Sequence, residues 1–349
     1  MAVTMREVAL KAGVSSATVS YVLNGRSDTM RIAVETRERI LDAVRELGYH
    51  PNAIAQSLSH KRTHAIAVVM QYPALFSGWS GFINTLMHGV TDSAVKHGYD
   101  LMLHTRNAGL VGECGEGSAI EREVAILSDG RVDGALLLRD RNDLLAAELK
   151  KRGLPVVLMF TGSEQDEIPF VDCDNVLGGK IATEYLIELG HRRIVHLAGS
   201  VSSTAAYDRR TGYNQIMQKQ GAEATVLEIA SPLSDFLPLL ECFEKPKGQR
   251  PTALFAWSDD VAITAIRLLR EKGIRVPEDV SVIGFDSTEL CNHTAPPLTS
   301  VKQPIYAMAD HAVTLLTQQI RGEAGEMTLC KMAPEIVVRD SCSPLLERN

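Results

Sequence analysis

Hydrophobic positions along the chain follow two regimes. In the first fifty residues they recur at helical spacing, as Val19, Val22 and Leu23 and then Ile40, Val44 and Leu47. Thr4-Met-Arg-Glu7 reads as a capping box opening a helix through Ala12, with Gly13 just past its end. Ser15 caps a second helix that stops at Asn24-Gly25, and a third begins in Thr36-Arg-Glu-Arg-Ile40 and ends at Gly48. Two short helices joined by Gly13-Val14-Ser15 predict a helix-turn-helix. Helix-turn-helix shape by itself is equally served by a plain three-helix bundle.

From residue 64 short apolar runs alternate with helical stretches. The runs predict strands at Ala65–Met70, Asp100–His104, Gly134–Leu138, Pro155–Met159, Phe170–Asp172, Arg193–Ala198, Ala253–Ala256 and Val280–Phe285. Helical patterns lie between most of them, at Trp79–Gly98, Ile120–Ser128, Leu144–Arg152, Asn175–Gly190, Arg209–Gln220 and Asp259–Gly273. Repeated βα units call for parallel sheets with helices on both faces, and this much chain calls for two lobes. The expected fold is α/β: an N-terminal helix-turn-helix head and a two-lobed body.

Charge sharpens that division. The formal net charge of −7 argues against a chain that binds nucleic acid by bulk charge. Residues 1–62, however, carry nine Lys/Arg against six Asp/Glu, so a basic head precedes an acidic body. The six cysteines are scattered, with no Cys-x-x-Cys and no zinc-ligand spacing, which reads as reduced thiols and no metal. The N-terminus has no apolar h-region and the apolar stretches fall far short of a membrane span, so a cytoplasmic protein is expected.

The residue strings are more specific than the pattern. Val14-Ser-Ser-Ala-Thr18-Val-Ser20-Tyr-Val-Leu-Asn24-Gly25, Thr36-Arg-Glu-Arg and Gly48-Tyr-His-Pro51-Asn52-Ala-Ile-Ala55-Gln-Ser-Leu58 resemble the head of the lactose-repressor (LacI/GalR) family of bacterial transcription regulators. In the body, Val132-Asp-Gly-Ala135, Gly190-His-Arg-Arg-Ile194, Arg209-Arg-Thr-Gly-Tyr213, Ser258-Asp259-Asp260, Val276 to Asp286 and Pro296 to Pro304 resemble the family's effector-binding core in the same order. The resemblance implies that Ser16, Ala17 and Tyr21 read base edges in the major groove. Thr4, Ser15, Thr18, Ser20, Asn24, Tyr49 and Asn52 complete the expected DNA-contacting set, Thr18, Ser20 and Asn24 as donors to phosphate oxygens. It also implies a hinge helix whose Ala55 packs closely in the minor groove while Leu58 wedges between base steps; by composition alone the segment reads equally as a linker.

Ligands of parallel sheets bind at the carboxyl ends of strands, and with two lobes the site is the cleft between them. Asp174, Ser258, Asp259 and Asp286 follow or end predicted strands. Carboxylates and an arginine gathered there suit a polyhydroxylated ligand, and a sugar fits best. The resemblance assigns ligand contacts to Arg209, Asp286, Asp174 and Ser258. Tyr72 and Phe76 are the expected first-lobe wall, where core packing is an equal account of Phe76, and Arg139 is a further candidate against the plainer reading of a surface arginine.

No recognisable catalytic set accompanies these residues: there is no Gly-x-Ser-x-Gly, His-Glu-x-x-His or Walker loop, and Gly112-Glu-Cys-Gly-Glu-Gly117 carries two glutamates that would repel phosphate. The chain is therefore read as a non-enzymatic regulator, without cofactor, most simply a repressor. It is expected to bind a palindromic operator in double-stranded DNA as a homodimer and to change its operator affinity with a small effector. A transport sugar receptor without a DNA role, and a regulator with a non-sugar corepressor such as a purine, are the alternatives. The expected domains are a head at 1–51, a hinge and linker at 52–63 and a body at 64–349. Lobe 1 is placed at about 64–167 plus 298–326, and lobe 2 at about 168–297 plus 327–342.

Overall fold

The computed structural model describes residues 3–25, 27, 29–50, 62–70, 80–104, 116–138, 144–161, 167–323 and 329–345. The chain divides into two units, Met1–Thr63 and His64–Asn349. In the first, α1 (Met5–Ala12), α2 (Ser16–Leu23) and α3 (Val34–Leu47) close on a core of Val8, Ala12, Val19, Val22 and Ile40. The capping box at Thr4 forms: its backbone N–H donates to Glu7 Oε2 at 2.7 Å, and the Glu7 N–H donates to Thr4 Oγ1 at 3.4 Å. Those bonds hold the Glu7 carboxyl below its ordinary value. Gly13 takes the left-handed conformation, φ +65°, that lets α1 stop and the chain turn into α2. Helix α3 starts at Val34, two residues before the segment read from Thr36, and its N-cap Ala33 offers no side-chain bond.

The body contains two six-stranded sheets. Lobe 1 has β1 (Ala65–Met70), β2 (Asp100–His104), β3 (Gly134–Leu138), β4 (Val156–Met159), β5 (Phe170–Cys173) and β11 (Leu329–Met332), in the order β11-β5-β4-β3-β1-β2. Lobe 2 has β6 (Ile194–Ala198), β7 (Thr225–Glu228), β8 (Ala253–Ala256), β9 (Ser281–Asp286), β10 (Thr299–Lys302) and β12 (Glu335–Val337), in the order β12-β10-β9-β8-β6-β7. All pairs are parallel except β10 with β12. Strand alternation feeds two cores: Ile66, Val68 and Met70 face one side of sheet 1 and Ala67 and Val69 the other. The helices that cover the faces are α4 (Gly81–His97), α5 (Glu116–Leu127), α6 (Leu145–Lys151), α7 (Asn175–Glu188), α8 (Thr204–Lys219), α9 (Leu237–Glu244), α10 (Asp259–Glu271) and α11 (Ile305–Arg321). Among the described residues no helix is long and apolar enough to cross a membrane.

Strand pairing corrects the expected lobe limits. Phe170–Cys173 and Leu329–Met332, expected in lobe 2, pair with each other in the lobe 1 sheet. Thr299–Lys302, expected in lobe 1, pairs with β9 in lobe 2. An apolar run fits the edge of either sheet, so only its hydrogen-bonded neighbour decides its lobe. The chain therefore crosses between lobes three times: between β5 and α7, between β10 and α11, and between β11 and β12.

Lobe 2 buries a histidine completely. His196 on β6 stacks on Phe255 at 4.5 Å between ring centroids, and its Nδ1 meets the Phe255 carbonyl oxygen at 2.9 Å. Burial pulls its pKa down to about 4, so the neutral ring is the folded form at neutral pH. A depressed histidine contributes stability that is complete above its unfolded value of about 6.5 and is lost as pH falls toward its folded value, about 3 kcal/mol in all. Urea titrations at about pH 4.5 and about pH 7.5 should show His196→Phe losing roughly 2 kcal/mol less than the wild type on acidification. Equal losses would mean that the folded protein accommodates the imidazolium.

Candidate functional site

The head presents the amino-terminal turn of α2. Ser15, Ser16 and Ala17 are exposed, and Thr18, Ser20, Tyr21 and Asn24 are half-buried. Ser15 Oγ accepts the Thr18 N–H at 3.1 Å and lies 2.9 Å from Thr18 Oγ1, while Asn24 Nδ2 donates to Ser20 Oγ at 3.2 Å. These bonds fix the turn and leave Ser16 and Ala17 as its outermost groups. Thr4 is exposed at the start of α1, where its hydroxyl is bonded to Glu7. Tyr49 differs from expectation: it is 8% exposed and packs with Val8 and Ile40, because the chain folds back over the head core after Gly48. Asn52, Ala55 and Leu58 lie outside the described residues, as do Tyr72, Phe76 and Arg139 in the body.

In the body the carboxyl ends of β8 and β9 and the first turn of α7 meet around one guanidinium carried on the second turn of α8. Arg209 is 3% exposed. Its Nε donates to Asn175 Oδ1 at 2.9 Å, and its Nη1 donates to the Trp257 carbonyl at 2.5 Å and lies 3.8 Å from Asp286 Oδ1. The Phe285 ring supports it from 3.7 Å away, a cation–π contact. Glycines make this burial feasible. A Cβ on Gly179 of α7 would sit 2.2 Å from the Arg209 carbonyl oxygen, and one on Gly212 of α8 would sit 2.2 Å from the Val176 carbonyl oxygen. Helices α7 and α8 therefore cross backbone to backbone.

Asp286 closes β9 with φ +119°, a strained backbone for a non-glycine residue, and its Oδ1 accepts from Gln303 Nε2 at 2.5 Å. Burial drives its carboxyl well above the ordinary value, against the opposing pull of Arg209. Asp172 on β5 is also buried and is pushed up to about 7, the Cys173 amide and Arg209 partly offsetting burial. One guanidinium thus faces acids that are costly to ionise together. Among the described residues, the hydrogen bonds of the pair run through Arg209 Nε and Nη1 and Asp286 Oδ1.

Other expected residues are placed differently. Asp174 caps α7, its Oδ1 accepting the Leu177 N–H at 2.9 Å, and Ser258 caps α10, its Oγ accepting the Val261 N–H at 3.4 Å. Asp259 turns inward: its carboxylate accepts from Ser300 Oγ at 2.6 Å, the Thr288 N–H at 2.9 Å and Cys291 Sγ at 3.0 Å, which ties α10 to the β9–β10 region. Arg209 and Asp286 are the two expected residues brought into direct contact. Asn175, Trp257, Phe285 and Gln303 were not anticipated as site residues, although Asn175 stands beside Asp174 and Gln303 lies in the family-like string Pro296 to Pro304. The lobes touch across the mouth of this region. Thr161 Oγ1 and Thr204 Oγ1 are 2.9 Å apart, Ser80 hydrogen-bonds Asp260, and Gly81 lies so close to Thr288 that a Cβ would meet its side chain at 2.6 Å.

Residues 4–52 match the model of bacterial regulatory proteins of the lacI family, and residues 183–342 match a periplasmic binding protein-like domain. The chain is similar to the HTH-type transcriptional repressor PurR of Pasteurella multocida, 33% identical with 97% of this chain and 98% of that one aligned. The HTH-type transcriptional regulator CelR of Thermobifida fusca is 34% identical, with 97% and 98% covered. Among solved structures, a CelR–cellobiose complex superposes with TM-score 0.70 at 33% identity, covering 97% of this chain and 99% of that one. The lac repressor dimer bound to operator and the anti-inducer ONPF superposes with TM-score 0.83 at 28% identity, covering 98% and 100%. The match over the head sets aside the reading as a transport receptor. The chain belongs to the lacI family of bacterial regulatory proteins and is a DNA-binding transcription regulator with a ligand-responsive body.

Proposed function

We propose that the protein is a cytoplasmic, non-enzymatic repressor whose effector is a sugar held by Arg209 and Asp286, with Asp174 and Ser258 at the edge of the same site. The carrying observation is the oriented pair: a guanidinium fixed by Asn175 and the Trp257 carbonyl, 3.8 Å from a carboxylate. Adjacent hydroxyls of a sugar supply both an acceptor for the guanidinium and a donor for the carboxylate. A cellobiose complex of a relative at 33% identity supports the same ligand class. Tyr72, Phe76 and Arg139 are proposed as the lobe 1 side of the site. In the head, Ser16, Ala17 and Tyr21 are proposed to read base edges, with Thr4, Ser15, Thr18, Ser20, Asn24 and Asn52 on the backbone. Ala55 and Leu58 are proposed for the minor groove, in a homodimer that matches the two halves of a palindromic operator.

A thermal-shift series on the full chain tests the ligand class. Cellobiose, other disaccharides, pentoses and hexoses are compared with guanine and hypoxanthine. A bound sugar at about a hundred times its dissociation constant should raise the melting temperature by roughly 5 °C. A shift with the purines alone would replace the sugar reading.

A further inference from the structure

Two of the three chain crossings carry a buried amide side chain bonded to the Arg209–Asp286 pair. At the crossing between β5 and α7, Asn175 is 1% exposed. Its Nδ2 donates to Asp172 Oδ1 and to the Cys173 carbonyl, each at 3.1 Å, on the lobe 1 strand β5. Its Oδ1 accepts from Arg209 on the lobe 2 helix α8 at 2.9 Å. At the crossing between β10 and α11, Gln303 is 3% exposed. Its Nε2 donates to Asp286 Oδ1 at 2.5 Å and its backbone N–H to the Asp286 carbonyl at 3.4 Å. The next residues enter α11, which packs on α4 and on β3, β4 and β5 of lobe 1. The third crossing is tied to the first, since the Asp174 N–H donates to the Met332 carbonyl at 2.8 Å.

A continuous polar path, Asp172–Asn175–Arg209–Asp286–Gln303, therefore starts on lobe 1, passes through the pair in lobe 2 and returns to the segment that enters lobe 1; every link is a hydrogen bond except the 3.8 Å ion pair of Arg209 and Asp286. The Asn175 amide, bonded at both ends, cannot rotate without leaving a buried donor or acceptor unpaired, which the low-dielectric interior penalises. Gln303 is held through its Nε2 and its backbone N–H, its buried Oε1 having no partner among the described residues. Arg209 cannot slide along α7 either, because its carbonyl oxygen occupies the space a Gly179 Cβ would fill. Movement of either charged group is thus passed to the crossings.

We propose that Asn175 and Gln303 are positioning residues that couple the Arg209–Asp286 pair to the angle between the lobes. The coupling rests on the reading of that pair as the ligand site. It supplies the two-state element that a change in operator affinity requires: a ligand that draws on Arg209 and Asp286 alters the bonds holding two crossings at once.

Amide hydrogen exchange on the full chain, read by mass spectrometry without ligand, tests it. Asn175→Ala is expected to raise exchange about tenfold at the distant crossing, 303–307, and at the contacts across the mouth, 80–84 and 204–207. That is the population change expected from losing one net hydrogen bond. Gln303→Ala should do the same at 174–178 and at the mouth. Strands β1 and β8 should stay protected in both, and the double variant should exchange no faster than the singles, because one path is interrupted in either case. Increases confined to one turn around each substitution, or additive in the double variant, would overturn the coupling. If an alanine variant exchanges throughout its core, Asn175→Asp and Gln303→Glu, which keep the volume but put a carboxyl oxygen in place of the amide donor facing Asp172 or Asp286, are judged by the same two outcomes. A wild type that shifts with no sugar removes the ligand class and leaves the exchange result standing; purely local exchange removes the coupling and leaves the thermal shifts standing.

Discussion

Arg209→Ala is expected to cost about 3–5 kcal/mol of folding stability near neutral pH and to abolish the thermal shift with sugars. Removing one member of a buried ion pair strands the other, and here it also takes away the guanidinium that opposes burial at both Asp286 and Asp172. The penalty carries a pH signature. A carboxyl whose folded pKa is raised contributes stability that is full below its unfolded value of about 4 and is lost as pH rises through its folded value. In the wild type that loss is complete for Asp172 only above about 7. Without Arg209 the folded values rise further, so the loss deepens and extends to higher pH. Urea denaturation should therefore show Arg209→Ala closest to wild type near pH 5 and furthest from it near pH 8. A penalty independent of pH would mean that the pair is held by packing alone. Arg209→Lys should recover part of the stability but not the sugar response, because an ammonium lacks the planar fork with which the guanidinium reaches Asn175, the Trp257 carbonyl and a ligand together.

The order of the elements was legible because their signals are local. The capping box at Thr4, the stop at Gly13 and the alternation from Ile66 to Met70 each depend on residues a few positions apart, and the structure has each of them. Strand partnership was not legible: β5 and β11 are neighbours separated by more than 150 residues of sequence, and nothing in Phe170–Cys173 or Leu329–Met332 names its sheet. The same limit hid part of the site. Arg209 and Asp286 stood out through the family strings that contain them. Asp174, Ser258 and Asp259 stood out equally, yet two of them are helix caps and the third is an internal tie. Neither Asn175 nor Gln303 was marked as a site residue, although Gln303 lies in the Pro296 to Pro304 string, because an amide becomes conspicuous only once the chain crossings that bury it are known.

The close contact of α7 with α8, which seats Arg209 beside Asn175, depends on two glycines whose substitution should produce the second large effect. Gly179→Ala and Gly212→Ala are each expected to destabilise the body by about 3 kcal/mol or more. Helix propensity alone would favour both changes by about 1 kcal/mol, since alanine orders more cheaply in a helix than glycine. Sterics decide the sign: the new methyl would stand 2.2 Å from a backbone carbonyl oxygen of the facing helix, Arg209 in one case and Val176 in the other, and backbone cannot swing aside as a flexible side chain can. The helices must separate, and separation draws Arg209 Nε away from the Asn175 Oδ1 that it meets at 2.9 Å. Gly248→Ala provides the contrast, because nothing lies within 4 Å of a Cβ there and its backbone is not left-handed, so a change within about 0.5 kcal/mol is expected. Chemical denaturation of the three variants measures the stability difference, and the sugar shift of whatever fraction stays folded measures the site. Neutral alanines at 179 and 212 would show that α7 and α8 can part without cost, and Arg209 would then owe its position to Phe285 and Trp257 instead of the helix crossing.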